Sequence, residues 1–171
     1  WKQADPDFFS DPKLLNKGIG GQTTPQMLSR FEKDVLDINP KAVLILAGTN
    51  DIAGNTGEIT LTEIRDNIDE MAQMASNNHI QVILCSVLPA LDYPWRTGRH
   101  PDEKIPALNQ MIRELAEAQN LYYLDFFTVM ADDRNGLPKD LAEDGVHPTP
   151  KGYAVMRNLT LESFKELKLI P

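Results

Sequence analysis

The run Asp144-Gly145-Val146-His147-Pro148-Thr149-Pro150 places a carboxylate and an imidazole three residues apart on a segment stiffened by two prolines. On a rigid turn that spacing brings the imidazole against the carboxylate. The contact fixes the ring's tautomer and stabilises the imidazolium formed when the ring acts as a general base. The same pair can instead ligate a metal or simply close the turn. A second turn, Gly48-Thr49-Asn50-Asp51, follows the most apolar run of the chain. Glycine lets the backbone bend sharply there, and Asn50 then offers amide N–H donors where charge would build on a substrate oxygen. Asp51 has a structural role open to it, accepting hydrogen bonds from the backbone amides of its own loop. A third segment, residues 16–25, runs Asn-Lys-Gly-Ile-Gly-Gly-Gln-Thr-Thr-Pro into a helix start, where unpaired backbone N–H groups point outward. It can cradle a phosphate, hold an oxyanion or form a plain tight turn, and it fits neither the phosphate-loop pattern nor the dinucleotide fingerprint.

These turns need a scaffold that gathers them at one end. Short apolar runs of strand length alternate with longer stretches of helical period, which predicts βαβ units around a parallel sheet. Strands are expected at residues 42–47, 81–86 and 121–125, apolar on both faces as buried parallel strands are, with a weaker one at 13–16. Helices are expected at residues 25–36, 61–76, 102–118 and 151–167. Thr60 with Glu63 fits a capping box, and Thr24 before Pro25 fits a cap with proline at the first helical position. Ile105, Leu108, Met111, Ile112 and Leu115 recur at helical spacing and read as a core stripe. In such α/β sheets ligands bind beyond the carboxyl ends of the strands, which is where all three turns fall.

Composition narrows the possibilities. The 171 residues carry a formal charge of -8 and a pI near 4.8, a field that repels a phosphate backbone, so nucleic acid and anionic membrane are poor partners. Hydrophobic residues at 42% and charged residues at 25% suit one globular domain spanning residues 1–171. No apolar stretch approaches the roughly 20 residues that cross a bilayer. The single cysteine, Cys85, sits in an apolar run and reads as a small core residue. His79 reads as a solvated residue at a helix end.

The turns Gly18-Ile19-Gly20-Gly21, Gly48-Thr49-Asn50-Asp51 and Asp144-Gly145-Val146-His147-Pro148, in this order, resemble three of the four blocks of the SGNH hydrolases, the GDSL-type esterases. The resemblance covers essentially the whole chain. It implies a three-layer αβα fold around a flavodoxin-like parallel sheet and a serine-dependent hydrolysis of carboxylic esters. By the resemblance His147 is the general base and Asp144 its partner, while Gly21 and Asn50 supply oxyanion donors. No metal or organic cofactor is called for. The family's first block, Gly-Asp-Ser followed by a hydrophobic residue, does not occur in residues 1–171. Of the five serines, Ser10 follows no strand, and Ser29, Ser76 and Ser163 lie in expected helices. Ser86 ends a strand but lacks the tight elbow.

The strand before that serine is central in the family's sheet, lying between residues 13–16 and 42–47. Its removal would leave apolar ladder edges unpaired. The chain, which begins at Trp1, is therefore expected to be part of a longer polypeptide whose preceding residues hold that strand and the nucleophile. Trp1 then falls near the cleft mouth.

Substrate choice is expected in residues 90–106, where Tyr93, Trp95 and Arg96, with Arg99 and His100, can stack on a sugar ring, cover an acyl chain or pack on the domain's own rim. The resemblance favours a short acyl group, such as O-acetyl on carbohydrate, and family habit favours an exported protein. Two other readings compete. One is a binding module that has lost its nucleophile; the other is a metal-dependent phosphohydrolase using Asp51, Asp144 and His147.

Overall fold

A computed structural model describes residues 1–171. Three parallel strands, β1 (Ala42–Ile45), β2 (Gln81–Cys85) and β3 (Tyr122–Leu124), form a sheet in the order β1-β2-β3. Ala42 pairs with Gln81 and Ile45 with Leu84, while Ile83 pairs with Tyr122 and Cys85 with Leu124. Successive side chains of a strand point to opposite faces, so an apolar run on both faces requires a cover on each. Val82 and Leu84 pack with α4 (Leu61–Asn77) and α5 (Pro101–Gln119). Ile83 and Cys85 pack the other way, with α6 (Phe126–Met130) and α7 (Pro150–Glu166). The result is the expected αβα layering. Cys85 is buried, as its apolar run predicts, and burial pushes its thiol well above the usual range.

The capping box expected at Thr60 forms, and α7 carries a hydroxyl cap of the same kind. Thr60 Oγ1 accepts from the Glu63 N–H at 3.2 Å, and Thr149 Oγ1 from the Gly152 N–H at 3.2 Å. The first expected helix is instead broken into α1 (Thr24–Ser29), α2 (Phe31–Asp34) and a 3-10 turn at Leu36–Ile38, because Arg30 leaves the helical region at φ -112° and ψ 1°. Its cap is Thr23, whose N–H donates to Gln26 Oε1 at 3.1 Å, and not Thr24, whose hydroxyl is committed elsewhere.

Residues 13–16 are not a strand. Local bonds replace a ladder: Asp11 accepts from the Lys13 N–H at its Oδ1, 2.9 Å, and from the Leu14 N–H at its carbonyl, 3.0 Å, and Asn16 Oδ1 turns to the Gly18 N–H at 2.9 Å. Such short-range bonds win where no neighbouring strand offers a ladder. β1 is accordingly an edge strand, and its Val43 and Leu44 are only half-buried. No helix is long and apolar enough to cross a membrane.

Candidate active site

The turn after β1 begins at Gly48, with φ 124°, and winds into the short α3 (Thr49–Ile52). A Cβ at residue 48 would lie 2.7 Å from Leu108 Cδ2 and 3.1 Å from Val87 Cγ2, so both the conformation and the space demand glycine. The turn is bonded to the glycine-rich segment 16–25 along its length. Asn50 Nδ2 donates to the Gln22 carbonyl at 2.9 Å, Asn55 Nδ2 to the Gly21 carbonyl at 3.0 Å, and the Thr23 and Thr56 hydroxyls meet at 3.0 Å.

Beneath them Asp51, 2% exposed, accepts from the Thr24 N–H at 2.8 and 3.1 Å and from the Thr24 hydroxyl at 2.6 Å. Its structural role is thus a correction to the expected one: it holds a residue 27 positions away, not the amides of its own loop. Loss of water around the buried carboxylate raises its pKa, against the opposing pull of the Thr24 bonds. Asn67 Nδ2 donates to the Thr24 hydroxyl at 3.1 Å and completes the network.

Within this frame Gly21, at φ 81°, is exposed and its N–H donates to no protein group. Asn50 spends one of its two amide hydrogens on Gln22, and the other is free for a ligand. The loop after β2 is fixed in turn by buried Asn109, whose Oδ1 accepts from the Val87 N–H at 2.7 Å while its Nδ2 donates to the Val87 carbonyl at 3.0 Å. Together these segments enclose a cleft of about 150 Å³. Ile19 and Gln22, Gly48 and Asn50, Leu88, and Val146 line it, one set from each loop. A larger, more open depression of about 580 Å³ lies at the opposite end of the sheet, around Ser76, His79 and Tyr122. It contains none of the groups singled out for chemistry, so the smaller cleft is the candidate site.

Val146 belongs to the Asp144 turn, which closes as its spacing predicts. His147 Nδ1 and Asp144 Oδ2 are 2.7 Å apart, and Asp144 Oδ1 accepts from the Val146 and His147 backbone N–H groups at 3.0 and 2.8 Å. Partial burial works to raise the Asp144 pKa, but the His147 ring and the two backbone donors outweigh it and hold the carboxyl below its ordinary value. With Nδ1 occupied, the ring presents Nε2, and its side chain is 70% exposed.

Residues 90–106 divide by role. Trp95, 47% exposed, has its ring centroid 5.3 Å from that of His147. Tyr93 is not a substrate-facing surface: it is fully buried, its ring 5.5 Å from Trp95 and its hydroxyl 2.9 Å from Thr49 Oγ1. Burial pushes its phenol up to about 12. Arg96 reaches inward to the Ala53 and Gly54 carbonyls, and Arg99 pairs with Glu58. Both guanidinium groups therefore brace the loop. Trp1 stacks on Phe8 at 5.2 Å and on Tyr153 of α7 at 5.9 Å.

None of the serines is a free nucleophile beside His147. Ser86 is fully buried and accepts from the Phe127 N–H at 2.8 Å. Ser10, Ser29 and Ser163 donate to the carbonyls of Asp7, Gln26 and Thr160, and Ser76 lies at the far depression. The metal reading loses its ligand set: both Asp51 oxygens are turned onto Thr24, and no three His, Cys, Asp or Glu side chains converge. The Asp51 contact of Thr24 and the roles of Asn55 and Asn109 had no signal in the sequence, because each acts through a partner far along the chain.

A glycine turn, an Asn turn and an Asp-His turn bordering one cleft of an αβα sheet define a hydrolase class, and the chain belongs to it: residues 6–155 match the GDSL-like Lipase/Acylhydrolase family. The crystal structure of a GDSL-like lipase from Bacteroides thetaiotaomicron is 38% identical with a TM-score of 0.94, over 98% of this chain and 82% of that one. An uncharacterized lipoprotein, YqeF, of Bacillus subtilis is 37% identical over 90 residues, 51% of this chain and 36% of its own. The human platelet-activating factor acetylhydrolase IB subunit alpha1 is 32% identical over 126 residues, 70% of this chain and 49% of its own. The chain thus spans between 36% and 49% of the length of these two curated relatives.

Proposed function

We propose that this protein hydrolyses carboxylic esters of short acyl groups, O-acetyl on carbohydrate foremost, through a serine acyl-enzyme. The observation that carries this reading is the 2.7 Å bond between His147 Nδ1 and Asp144, backed by two backbone donors on the same carboxylate. Asp144 fixes the tautomer that leaves Nε2 as proton acceptor. His147 takes the serine proton as the hydroxyl oxygen attacks the ester carbonyl. The oxyanion is met by the Gly21 N–H and the free Asn50 amide hydrogen, and the imidazolium returns its proton to the leaving alcohol. Water, activated by the same imidazole, then releases the acid.

The serine belongs, in this reading, to a strand preceding residue 1 that pairs with the outer edge of β1. The free edge and the half-buried Val43 and Leu44 support it, since apolar residues on an unpaired edge invite a further strand. A cleft of about 150 Å³, lined mainly by apolar side chains with Gln22, Arg30 and Asn50 among them, suits an acetyl group better than a long acyl chain. The acetylhydrolase relative points to the same acyl size.

The test uses the full-length protein with p-nitrophenyl acetate, p-nitrophenyl octanoate and acetylated xylo-oligosaccharides. Acetyl esters should turn over faster than octanoyl, a serine-reactive phosphonate should abolish turnover, and a chelator should not. His147→Ala should lower kcat more than about 1,000-fold with the fold intact. Unchanged turnover in that variant would remove the base role. Acetylated sugar bound without turnover, in a protein indifferent to the phosphonate, would make it a binding module instead.

A further inference from the structure

The Asp-His pair is exposed, the His147 side chain at 70% and that of Asp144 at 43%. Asp144 holds one end of the imidazole, at Nδ1, but one hydrogen bond leaves the ring free to swing about the line it defines. The contact on the ring's face is Trp95, at a centroid distance of 5.3 Å and an interplanar angle of 32°. Trp95 is itself held. Its ring lies 5.5 Å from that of Tyr93, at 33°, and Tyr93 is fully buried with its hydroxyl 2.9 Å from Thr49, the neighbour of Asn50. On the other side in sequence, Arg96 is bound to the Ala53 and Gly54 carbonyls, which end the same Asn-bearing turn. Trp95 is thus an aromatic strut. It is footed on the turn that carries Asn50 and its head lies on His147, so it joins two turns that lie far apart in sequence.

Resting on the esterase reading above, we propose that Trp95 is a positioning residue for His147, setting the imidazole plane relative to Asn50, and not a platform on which substrate stacks. The indole already makes tilted ring contacts with Tyr93 and His147, and a sugar ring on the His147 side would displace the imidazole. Conversely, a base swung away by about 1 Å loses on the order of 100-fold in rate, because proton transfer needs the acceptor within hydrogen-bond reach of the nucleophile.

The experiment compares Trp95→Ala and Trp95→Phe with the parent in the full-length protein, with two readouts. The first is the NMR position of the His147 ring protons, assigned among the three histidines with His147→Ala. The indole face shifts them upfield; Trp95→Ala should move them downfield, and Trp95→Phe should keep part of the shift. The second is steady-state hydrolysis of p-nitrophenyl acetate, whose leaving group is not a sugar. Trp95→Ala should lower kcat roughly 10- to 100-fold with KM little changed, and Trp95→Phe should restore most of it.

Ring protons that stay in place in Trp95→Ala would overturn the strut. So would a loss confined to KM, or to acetylated sugars alone, because that is the behaviour of a substrate platform. Should the parent hydrolyse no ester, the esterase reading fails by itself, while the ring-proton shift still decides whether Trp95 holds His147.

Discussion

Replacing Gly48 by alanine tests whether the turn carrying Asn50 is built as described. Two penalties apply, and the structure allows them to be separated. The first is conformational: at φ 124° a residue with a Cβ is strained by about 1–2 kcal/mol. The second is steric. The new methyl would sit 2.7 Å from Leu108 Cδ2 and 3.1 Å from Val87 Cγ2, with Ile64 Cγ2 at 3.6 Å. Leu108, Val87 and Ile64 are all essentially inaccessible, so none can swing into solvent. Overpacking of this kind costs about 1–3 kcal/mol. Gly57 provides the control, since its φ is 115° and a Cβ there meets nothing within 4 Å. Gly57→Ala should therefore lose only the conformational part.

Urea denaturation should rank the parent above Gly57→Ala, with Gly48→Ala lowest by a further 1–3 kcal/mol or so. In thermal unfolding that extra loss is worth roughly 2–12 °C for a domain of this size. Equal stabilities for the two variants would show that Leu108 and Val87 yield, and would refute the claim that packing from α5 fixes the Asn50 turn.

Two other perturbations probe the frame. Asn109→Ala strands the Val87 N–H and carbonyl without partners in a buried position, and should lower stability by about 2–5 kcal/mol in urea with an unchanged m-value. A loss below about 1 kcal/mol would mean that the loop after β2 finds other support. Asp51→Asn addresses the buried carboxylate. Because the folded pKa of Asp51 is raised, the native state binds its proton more tightly than the unfolded chain, and the stability linked to that proton is lost as pH rises through the folded value. The stability of the parent relative to Asp51→Asn should accordingly fall as pH climbs from about 4, the unfolded carboxyl value, and then level off. A relative stability that grows over this interval would show that the Thr24 bonds, and not desolvation, dominate the group.

What could be read in advance follows the range of the forces involved. Ala42-Val43-Leu44-Ile45 announces a strand because both of its faces need cover, and α4 begins where Thr60 caps it, an interaction within one turn. The Asp144–His147 bond is local in the same sense. Residues 13–16 failed as a strand because pairing depends on a neighbour, which no local pattern supplies. Thr49–Ile52 and Phe126–Met130 are too short to show helical period and exist through their packing. Tyr93 reads equally as a substrate contact or as packing on the domain's own rim; it packs, buried in the core with its hydroxyl on Thr49, 44 residues away.

The frame and the proposed base are thus held by different physics, and their substitutions should separate accordingly. Asp51, Thr24 and Asn109 are buried, and removing a partner from any of them exposes the full cost of an unsatisfied polar group. Their loss should register in stability before it registers in rate. His147, its side chain 70% exposed, and Trp95, about half exposed, lie outside the core, so their loss should leave the fold standing and take away the direction in which Nε2 points. Under the mechanism proposed above, this division follows from the demands of the chemistry. Oxyanion donors must be in place before charge develops, which favours a turn stapled from beneath by Asp51. A base that accepts and returns a proton within one turnover works better at the cleft mouth, where water can reach it for deacylation and an aromatic neighbour steadies it without burying its charge.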